Sequence, residues 1–267
     1  MADAQDSKSC EGNLMRVQVP PWPPMKVIFL NIWGGKVFEP LMEFLKESAE
    51  STDFFCFQEV IDSPLITTVS FGGRTDIRKK LISALPQFEE YYAPSHNALD
   101  QSGQPSPDIF VGLAIFAKKG IAIETQGKIH DLQYLRFKND GKFYTLGNFH
   151  GTAHPGSKLD TEKRLEQSKK IVEFLSKEKG EKILGGDFNL LPETESIRII
   201  EKAEMQNLVR EFKIHTTRSE LSYARYPENQ RQYFSDYVFI SPGVRALNFT
   251  VPQIEVSDHL PMALEFS

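Results

Sequence analysis

The feature that most constrains this chain is a series of short apolar segments that end on charged or amide side chains. Examples are KVIFLN (26–31), DFFCFQEV (53–60), FYTLGNFH (143–150) and KILGGDFN (182–189), followed later by QYFSDYVFIS (232–241) and EVSDHLPMALEF (255–266). Segments of this length, rich in branched and aromatic residues, are typical of buried strands. They predict a protein built on β-structure whose polar residues gather where strands end.

Amphipathic segments separate these strands. Apolar residues recur at helical spacing over 39–50, 74–85, 160–178 and 194–203, which predicts four helices. Strands and helices alternate irregularly, and many neighbouring strands are joined by short turns. This pattern favours an α+β fold, a mixed or antiparallel two-sheet β-sandwich flanked by helices, over a strict βαβ repeat.

Three local features give more specific expectations. The polar stretch 95–108 contains glycine and proline and is predicted to be a loop. Segments 109–119 and 121–129 are predicted to pair with each other across a Lys-Lys-Gly turn. The strand at 182–189 is expected to break at its two glycines.

The chain has 267 residues, of which 40% are hydrophobic, so it is long enough for one large domain. Residues 1–24 are polar and end in a proline-rich stretch, which predicts a disordered leader before a domain at 25–267. No segment is apolar over a membrane-spanning length. The two cysteines, Cys10 and Cys56, are not placed for a disulfide, and we expect a cytoplasmic monomer.

The net charge of −5 and the pI of about 5.8 argue against a broad surface that binds nucleic acid without regard to sequence. A local basic patch is compatible with this balance. Tyr223, Arg225 and Tyr226 are such a patch: they would either grip a nucleic-acid strand or belong to a loop that packs on itself.

Polar side chains at the strand ends form the candidate site. A single acid at a strand end is more often a turn former or a helix cap than a functional group. Several together are more informative, because one sheet can bring its strand ends to a common rim. The candidates are Asn31, Glu59, His150, Asp187, Asn189, Asp236, Asp258 and His259.

This set of side chains suits the hydrolysis of phosphoesters. Mg²⁺ prefers oxygen ligands and keeps several waters, so one or two carboxylates are enough to hold it. The ion polarises a phosphoryl oxygen, and a carboxylate orients or deprotonates the attacking water. Amides and an imidazolium stabilise the charge that develops on the phosphate. A set rich in acids and amides and poor in thiols argues against structural zinc.

The motifs NIWGG, FCFQEV, GNFHG, LGGDFNLLP, SDYVFIS and VSDHLP occur in this order along the chain. In order and context they resemble the endonuclease/exonuclease/phosphatase superfamily, whose members have the DNase I-like fold. The resemblance covers nearly all of 25–267. It implies a four-layer α/β/β/α architecture and a phosphoester hydrolase that uses Mg²⁺, with Mn²⁺ as a substitute.

The resemblance also implies a role for each candidate. Glu59 would be the main metal carboxylate, with Asn31 and Asp258 at or near the metal. Asp187 would handle the attacking water, and Asn189 would place that water and the phosphate. His259, oriented by Asp236, would contact the phosphate or stabilise the transition state, and His150 would be a second phosphate contact.

One residue departs from the pattern. In the abasic-site endonuclease and tyrosyl-DNA phosphodiesterase branches, an aspartate usually stands two residues after the asparagine, where this chain has Trp33. Some phosphodiesterase branches, including sphingomyelinase-like ones, also have tryptophan there, so this departure argues against assigning the substrate of the repair enzymes to this chain by resemblance alone. Trp33 would either belong to the core, the placement we favour, or stack on a base or sugar at the rim.

The first functional hypothesis is therefore a nuclease or DNA-end-processing phosphodiesterase that acts on a nucleic-acid substrate. The alternative is a phosphatase or phosphodiesterase that acts on lipid head groups or small phosphate esters. A catalytically inactive binding module on the same scaffold is the third.

Overall fold

A computed structural model describes residues 23–267. The predicted leader, residues 1–24, lies outside the described part except for Pro23 and Pro24. The strands are β1 (Met25–Asn31), β2 (Phe54–Asp62), β3 (Phe88–Leu99), β4 (Pro105–Lys118), β5 (Ile123–Ile129), β6 (Leu132–Asn139), β7 (Lys142–His150), β8 (Glu181–Asp187), β9 (Gln206–Asn207), β10 (Asp236–Ile240), β11 (Ala246–Thr250) and β12 (Met262–Phe266). The helices are α1 (Phe38–Ser48), α2 (Ile77–Ala84), α3 (Glu162–Lys177), α4 (Glu195–Lys202), α5 (Leu208–Glu211) and α6 (Glu220–Tyr223).

The strands form two six-stranded sheets. The first has the order β11-β12-β1-β2-β4-β3 and the second β5-β6-β7-β8-β10-β9. Both are mixed: β1 is parallel to β2 and β7 is parallel to β8, whereas the other neighbours are antiparallel. The expected α+β sandwich is confirmed, with both sheets mixed.

The core lies between the two sheets. Phe29 of β1 and Cys56 of β2 are fully buried in the same cluster as Leu146 of β7 and Leu184 of β8. A side chain at Gly185 would collide with the ring of Phe29, so this glycine lets the sheets approach closely.

The helices cover the outer faces of the sandwich. Leu41 and Leu45 of α1 pack with Ile77 and Leu81 of α2 in a second core cluster on the first sheet. The apolar faces of α3 and α4 are buried against the second sheet, with Ile171, Leu175, Ile197 and Ile200 among their buried residues. The architecture is thus the four-layer α/β/β/α arrangement that the resemblance implied.

Buried amides join the two sheets near their centre. Gln58 Nε2 of β2 donates to Asn148 Oδ1 of β7 over 2.6 Å, and Asn148 Nδ2 donates to the carbonyl of Phe57 over 3.0 Å. Gln133 Nε2 of β6 donates to the carbonyl of Tyr91 over 2.7 Å. Because such bonds are directional, they fix the position of one sheet relative to the other in a way that apolar contacts do not.

Several local predictions were wrong. The polar stretch 95–108 is mostly strand, because β3 and β4 pair as a long hairpin that extends to Leu99 and Pro105. Segment 109–119 does not pair with 121–129: β4 pairs with β2 and β3, and the chain then crosses to the second sheet, where β5 pairs with β6. Strands β6 and β11 were not predicted.

Strand β8 does not break at its glycines. It continues through Gly185 and Gly186 to Asp187, in register with both β7 and β10. Gly186 has a φ of 134°, and a side chain there would overlap the carbonyl oxygen of Phe149. The glycine therefore allows a close approach of two strands immediately before Asp187.

Across residues 23–267, the helices include none with the length and apolar character needed to cross a membrane.

Candidate functional site

Three candidate residues lie side by side at one edge of the second sheet. His150 of β7 is in register with Asp187 of β8, which is in register with Asp236 of β10. In the facing sheet Asn31 ends β1 in register with Gln58 of β2, so Glu59 lies at the corresponding edge. Sequence positions far apart along the chain therefore converge where the two sheets meet.

A β-bulge directs Glu59 towards this edge. The register between β2 and β4 shifts between Phe57 and Val60, and Glu59 adopts a φ of 57°. A left-handed conformation is uncommon for a residue with a long side chain, and bulges often redirect side chains at functional sites. The carboxylate of Glu59 is 23% exposed, so it opens on the cleft described below.

Asn31 connects the two carboxylates. Its Nδ2 donates to Glu59 Oε1 over 3.0 Å and to Asp187 Oδ2 over 3.1 Å, while its Oδ1 accepts from the backbone N–H of Trp33 over 3.0 Å. In this arrangement Asn31 positions the carboxylates, and its oxygen is turned away from them. Its role as a metal ligand stays a prediction that would require a rotated amide.

Asp187 is buried and is held by several donors. Its Oδ1 accepts from Ser235 Oγ over 2.5 Å and from the backbone N–H of Asn189 over 2.9 Å. Burial by itself raises the pKa of Asp187, but the positive charges of His259 and Lys158, followed by those of His150 and Arg218, outweigh it and hold the pKa well below its usual value. Asp187 is therefore an ionised, fixed acceptor.

His259 and Asp236 form a buried pair. His259 Nδ1 lies 2.8 Å and 3.0 Å from the two carboxylate oxygens of Asp236, so it donates its proton there. The other ring nitrogen, Nε2, lies 3.6 Å from Asp187 Oδ2 and 3.8 Å from Asp258 Oδ1. Asp236 thus fixes the orientation of the ring and points Nε2 towards the other acids.

The charges around His259 act in opposite directions. Burial lowers its pKa, and so does Arg218, but Asp236, Asp258 and Asp187 together raise it above the usual value. Arg218 Nη1 also lies 2.5 Å from Nε2, a contact that favours an unprotonated nitrogen. Three carboxylates lie within 4 Å of the ring nitrogens, and their combined negative charge makes a raised pKa the net effect.

His150, Asn189 and Asp258 complete the set. His150 Nε2 lies 3.8 Å from both Glu59 Oε1 and Asp187 Oδ2. Asn189 Nδ2 donates to the carbonyl of Gly151 over 3.1 Å. Asp258 does not end a strand as expected but lies before β12, which is antiparallel to β1, so its loop reaches the edge where β1 ends. The structure thus brings all eight predicted residues to one region.

Six of these side chains line an open cleft of about 650 Å³. Its lining includes Glu59, His150, Asp187, Asn189, Asp258 and His259. Trp33 also lines it and is only partly buried, so the prediction that Trp33 belongs to the core was wrong. Lys36 Nζ lies 3.7 Å above its ring, which holds the indole at the rim.

The donor groups suit a divalent cation. Asp187, Asp236 and His259 offer ligand atoms that all lie within 4.8 Å of one another, but an ion among them would compete with the hydrogen bond from His259 Nδ1 to Asp236. Glu59 and Asp258 offer carboxylates on the cleft side, although Asp258 is paired with Arg218 Nη2 at 2.8 Å. A hard ion such as Mg²⁺ fits the oxygen-rich side better.

Sequence reasoning missed three residues that shape the site. Ser235 bonds to Asp187, Arg218 bonds to both Asp258 and His259, and Lys158 is buried close enough to Asp187 to influence its pKa. Arg218 reaches its partners through an isolated bridge to His259, a contact over 41 positions that no local pattern indicates. The serine of SDYVFIS was a usable signal, because it lies beside Asp236.

Comparison with known proteins decides the family. Residues 28–259 match the model of the Endonuclease/Exonuclease/phosphatase family. The chain belongs to this family. Members of the endonuclease/exonuclease/phosphatase family are phosphoester hydrolases, and the family is generally dependent on divalent metals. No curated protein matched the sequence.

Solved structures of this family have the same fold. An endonuclease/exonuclease/phosphatase from Beutenbergia cavernae is 16% identical, with a TM-score of 0.69 over 92% of this chain and 72% of that one. The mannosyl-6-phosphatase Bt3783 of Bacteroides thetaiotaomicron is 16% identical, with a TM-score of 0.64 over 91% and 99%. Truncated TDP2 from Caenorhabditis elegans is 18% identical, with a TM-score of 0.63 over 91% of this chain and 97% of the truncated one. At these identities the likeness shows the fold alone.

Proposed function

We propose that this protein is a divalent-metal-dependent phosphodiesterase, with nucleic acid as its first candidate substrate. One observation supports this most strongly: Asn31 holds Glu59 and Asp187 together, and His150 lies 3.8 Å from each. Two carboxylates and an imidazole at the floor of an open cleft are a suitable set of groups for binding a divalent metal ion together with the phosphate of a substrate.

The metal would be held by Glu59 and Asp258, with Asn31 beside it. When bound, a divalent cation polarises a phosphoryl oxygen and offsets the charge that develops on the phosphate. Mg²⁺ is the expected ion and Mn²⁺ its substitute. Glu59 is well placed for this role because its bulge directs the carboxylate into the cleft.

Asp187 aligns the attacking water. Its carboxylate stays ionised over the physiological range, and donors from Ser235 and Asn189 fix its direction. A carboxylate with a lowered pKa is too weak a base to deprotonate free water. The water becomes more acidic as its oxygen bonds to phosphorus in the transition state, and Asp187 can then accept its proton. Asn189 lies two residues away, in the same cleft, where its amide would help to place the water.

His259 and His150 would contact the phosphate. Asp236 raises the tendency of His259 to carry a proton and leaves Nε2 free to donate to a phosphoryl oxygen when Arg218 moves aside. His150 faces the same cleft from the neighbouring strand. Because Asp236 already orients the His259 ring, only the contact between Nε2 and Arg218 would change when this donor binds the phosphate.

A phosphatase or phosphodiesterase of small phosphate esters is the second candidate. The observation that favours it is a smaller pocket of about 320 Å³ beside the cleft, lined by Trp33, Arg218, Tyr223 and Tyr226 among others. A pocket of this size suits a sugar or a nucleoside better than a long strand. Lipid head groups remain within this candidate, and an inactive binding module is the outcome if no ester is hydrolysed.

The first test is metal-dependent turnover of thymidine 5′-(p-nitrophenyl phosphate). We expect hydrolysis with Mg²⁺ or Mn²⁺ that EDTA abolishes. Glu59→Gln should raise the Mg²⁺ concentration needed for half-maximal rate by about tenfold or more, because a carboxylate binds the ion better than an amide. Glu173→Gln, which changes an exposed ion pair with Lys177 on α3, is the matched control and should leave the titration unchanged.

An unchanged Mg²⁺ titration in Glu59→Gln contradicts the metal role of Glu59. No turnover of any ester with any divalent ion, in a folded protein, contradicts the enzyme and leaves the binding module. A panel of single-stranded DNA, abasic duplex, 5′-tyrosyl DNA, RNA, sphingomyelin and inositol phosphates then separates the substrate classes.

A further inference from the structure

A second pocket adjoins the catalytic cleft. It has a volume of about 320 Å³ and shares three lining residues with the cleft, namely Trp33, Arg218 and Asp258. Whatever occupies it therefore lies next to the candidate metal centre. The roles proposed above for the cleft residues do not account for this pocket.

Lys158 lines the pocket and is nearly inaccessible to solvent. Only 7% of its surface is exposed, and its Nζ has no hydrogen-bond partner within residues 23–267. A buried ammonium without a partner is unfavourable, and such groups in folded proteins usually have a bound ligand or a function. The ammonium of Lys158 can thus donate up to three hydrogen bonds to a bound ligand.

The backbone holds Lys158 in place. Its φ is 56°, and its carbonyl accepts from the N–H of Leu191 over 2.9 Å. The loop that contains it is held by the buried Arg164, which donates to the carbonyls of Thr152, Ala153 and Pro155 before Lys158 and of Leu159 after it. A left-handed lysine on a fixed loop indicates that the position of its ammonium is specified by the fold.

The electrostatic surroundings of Lys158 favour an anion. Burial, followed by the positive charge of Arg218, lowers the pKa of Lys158 to about 8, although the negative charges of Asp187, Asp236 and Asp258 act in the opposite direction. An anion bound at the ammonium would relieve both unfavourable effects.

The other charged residues of the pocket also favour binding of an anion. Arg225 lines it and is exposed, with its guanidinium 5.0 Å above the ring of Tyr226. The lining contains one acid, Asp258, and this is already paired with Arg218 at 2.8 Å. A lysine and two arginines therefore line a space that contains a single carboxylate, so the lining carries a net positive charge.

We propose that Lys158, together with Arg218 and Arg225, binds a second phosphate group of the substrate, adjacent to the phosphoester that is hydrolysed. This inference rests on the proposed function, because it describes the substrate of the same site. Trp33, Tyr223 and Tyr226 on the pocket walls would contact the sugar that joins the two phosphates or the base attached to it. The substrate class is thus a nucleotide or sugar phosphate that carries two phosphate groups, one of which contains the ester bond that is hydrolysed.

Binding tests the pocket without turnover. Calorimetry in EDTA compares thymidine 3′,5′-bisphosphate with thymidine 5′-monophosphate. We expect the bisphosphate to bind about 10- to 100-fold more tightly, the range for one charge-assisted contact. Lys158→Met should remove most of this advantage. Lys177→Met, on the exposed face of α3, is the matched control and should keep it.

A second variant makes the test independent of the stability of the first. Arg225 is exposed, so Arg225→Met should fold normally and should also reduce the preference for the bisphosphate. Turnover provides a separate readout: the ratio of kcat/KM for thymidine 3′-phosphate 5′-(p-nitrophenyl phosphate) to that for the same ester without the 3′-phosphate. This ratio should fall in both variants and stay constant in Lys177→Met.

Equal affinity for the two nucleotides in the unmodified protein overturns the inference, and so does an advantage that survives both Lys158→Met and Arg225→Met. If preference for the bisphosphate is present but neither ester is hydrolysed with any metal, the proposed function fails and the anion pocket stands. If hydrolysis is normal and there is no preference, the pocket fails and the proposed function stands.

Discussion

At the scale of single residues, the site depends on atoms whose charge state is set by neighbours from other elements. Asp187 is ionised although it is buried, because His259, Lys158, His150 and Arg218 surround it. An acid at a strand end is an ordinary turn residue by itself. Its proposed catalytic value comes from this positive environment and from the donors that fix its oxygens.

Asp187→Asn should lower kcat by about 10²- to 10⁴-fold, the range for loss of a positioned acid–base group. The amide oxygen can still accept from Ser235 and from the N–H of Asn189, so the fold should persist. Initial rates at saturating substrate and metal measure the effect, with circular dichroism as a check of folding. Asp140→Asn, in the exposed β6–β7 turn, is the matched control. A rate within threefold of the unmodified protein would remove Asp187 from the mechanism.

At the scale of elements, the segment between β7 and α3 links packing to the site. Gly151 accepts from Asn189, and Lys158 reaches the second pocket, so both ends of this loop bear on the chemistry. Arg164 holds it through four backbone carbonyls while being 1% exposed itself. The guanidinium of Arg164, on the buried side of α3, therefore donates its hydrogen bonds to backbone carbonyls of this loop, and through them it positions residues of the site.

Arg164→Met should reduce the free energy of unfolding by about 2–4 kcal/mol, because several partly buried carbonyls lose their donor. Urea denaturation measures the change. Arg198→Met is the control: its guanidinium is 53% exposed and lies 3.9 Å from Glu195, so its loss should cost less than about 0.5 kcal/mol. If Arg164→Met reduces the free energy of unfolding by no more than the control does, water replaces the guanidinium as the donor to those carbonyls.

At the scale of the whole molecule, the two sheets form one unit. Met25 and Val27 of β1 belong to the core cluster between the sheets, and β1 lies at the centre of the first sheet between β12 and β2. The predicted domain boundary at Met25 therefore has a direct physical test. Within residues 23–267, every strand of the two sheets begins at Met25 or later.

A chain that starts at Pro23 should unfold at the same urea concentration as the full chain and should hydrolyse the same esters. A chain that starts at Ile28 should be unstable, since it loses the pairs Met25↔Phe266 and Val27↔Phe54 and two buried side chains. Each fully buried side chain of this kind contributes about 1.5–3 kcal/mol. If the chain that starts at Pro23 is destabilised relative to the full chain as much as the chain that starts at Ile28, a domain that begins at Met25 is contradicted.

Local patterns predicted most of the regular structure. The apolar runs that became β1, β2, β7 and β8 are strong signals, because their side chains are buried on both faces and any polar interruption would be costly. The long hairpin of β3 and β4 was not predicted, because its outer end is polar and exposed and its pairing does not depend on burial. The prediction that β8 breaks at its two glycines was wrong because the effect of a glycine in a strand depends on which residues pack against it, and the local sequence does not show this.

The sequence by itself determined the fold class, the family resemblance and the chemical identity of the eight candidate residues, because these follow from residue types, periodicity and ordered motifs along one chain. Only the tertiary structure decided that Trp33 faces the cleft, that Arg218 reaches Asp258 and His259, and that the Lys158 ammonium is buried with no hydrogen-bond partner among residues 23–267. The reason is that charge state and access depend on the distance between atoms from separate strands and loops. Those distances are fixed only when the two sheets pack together.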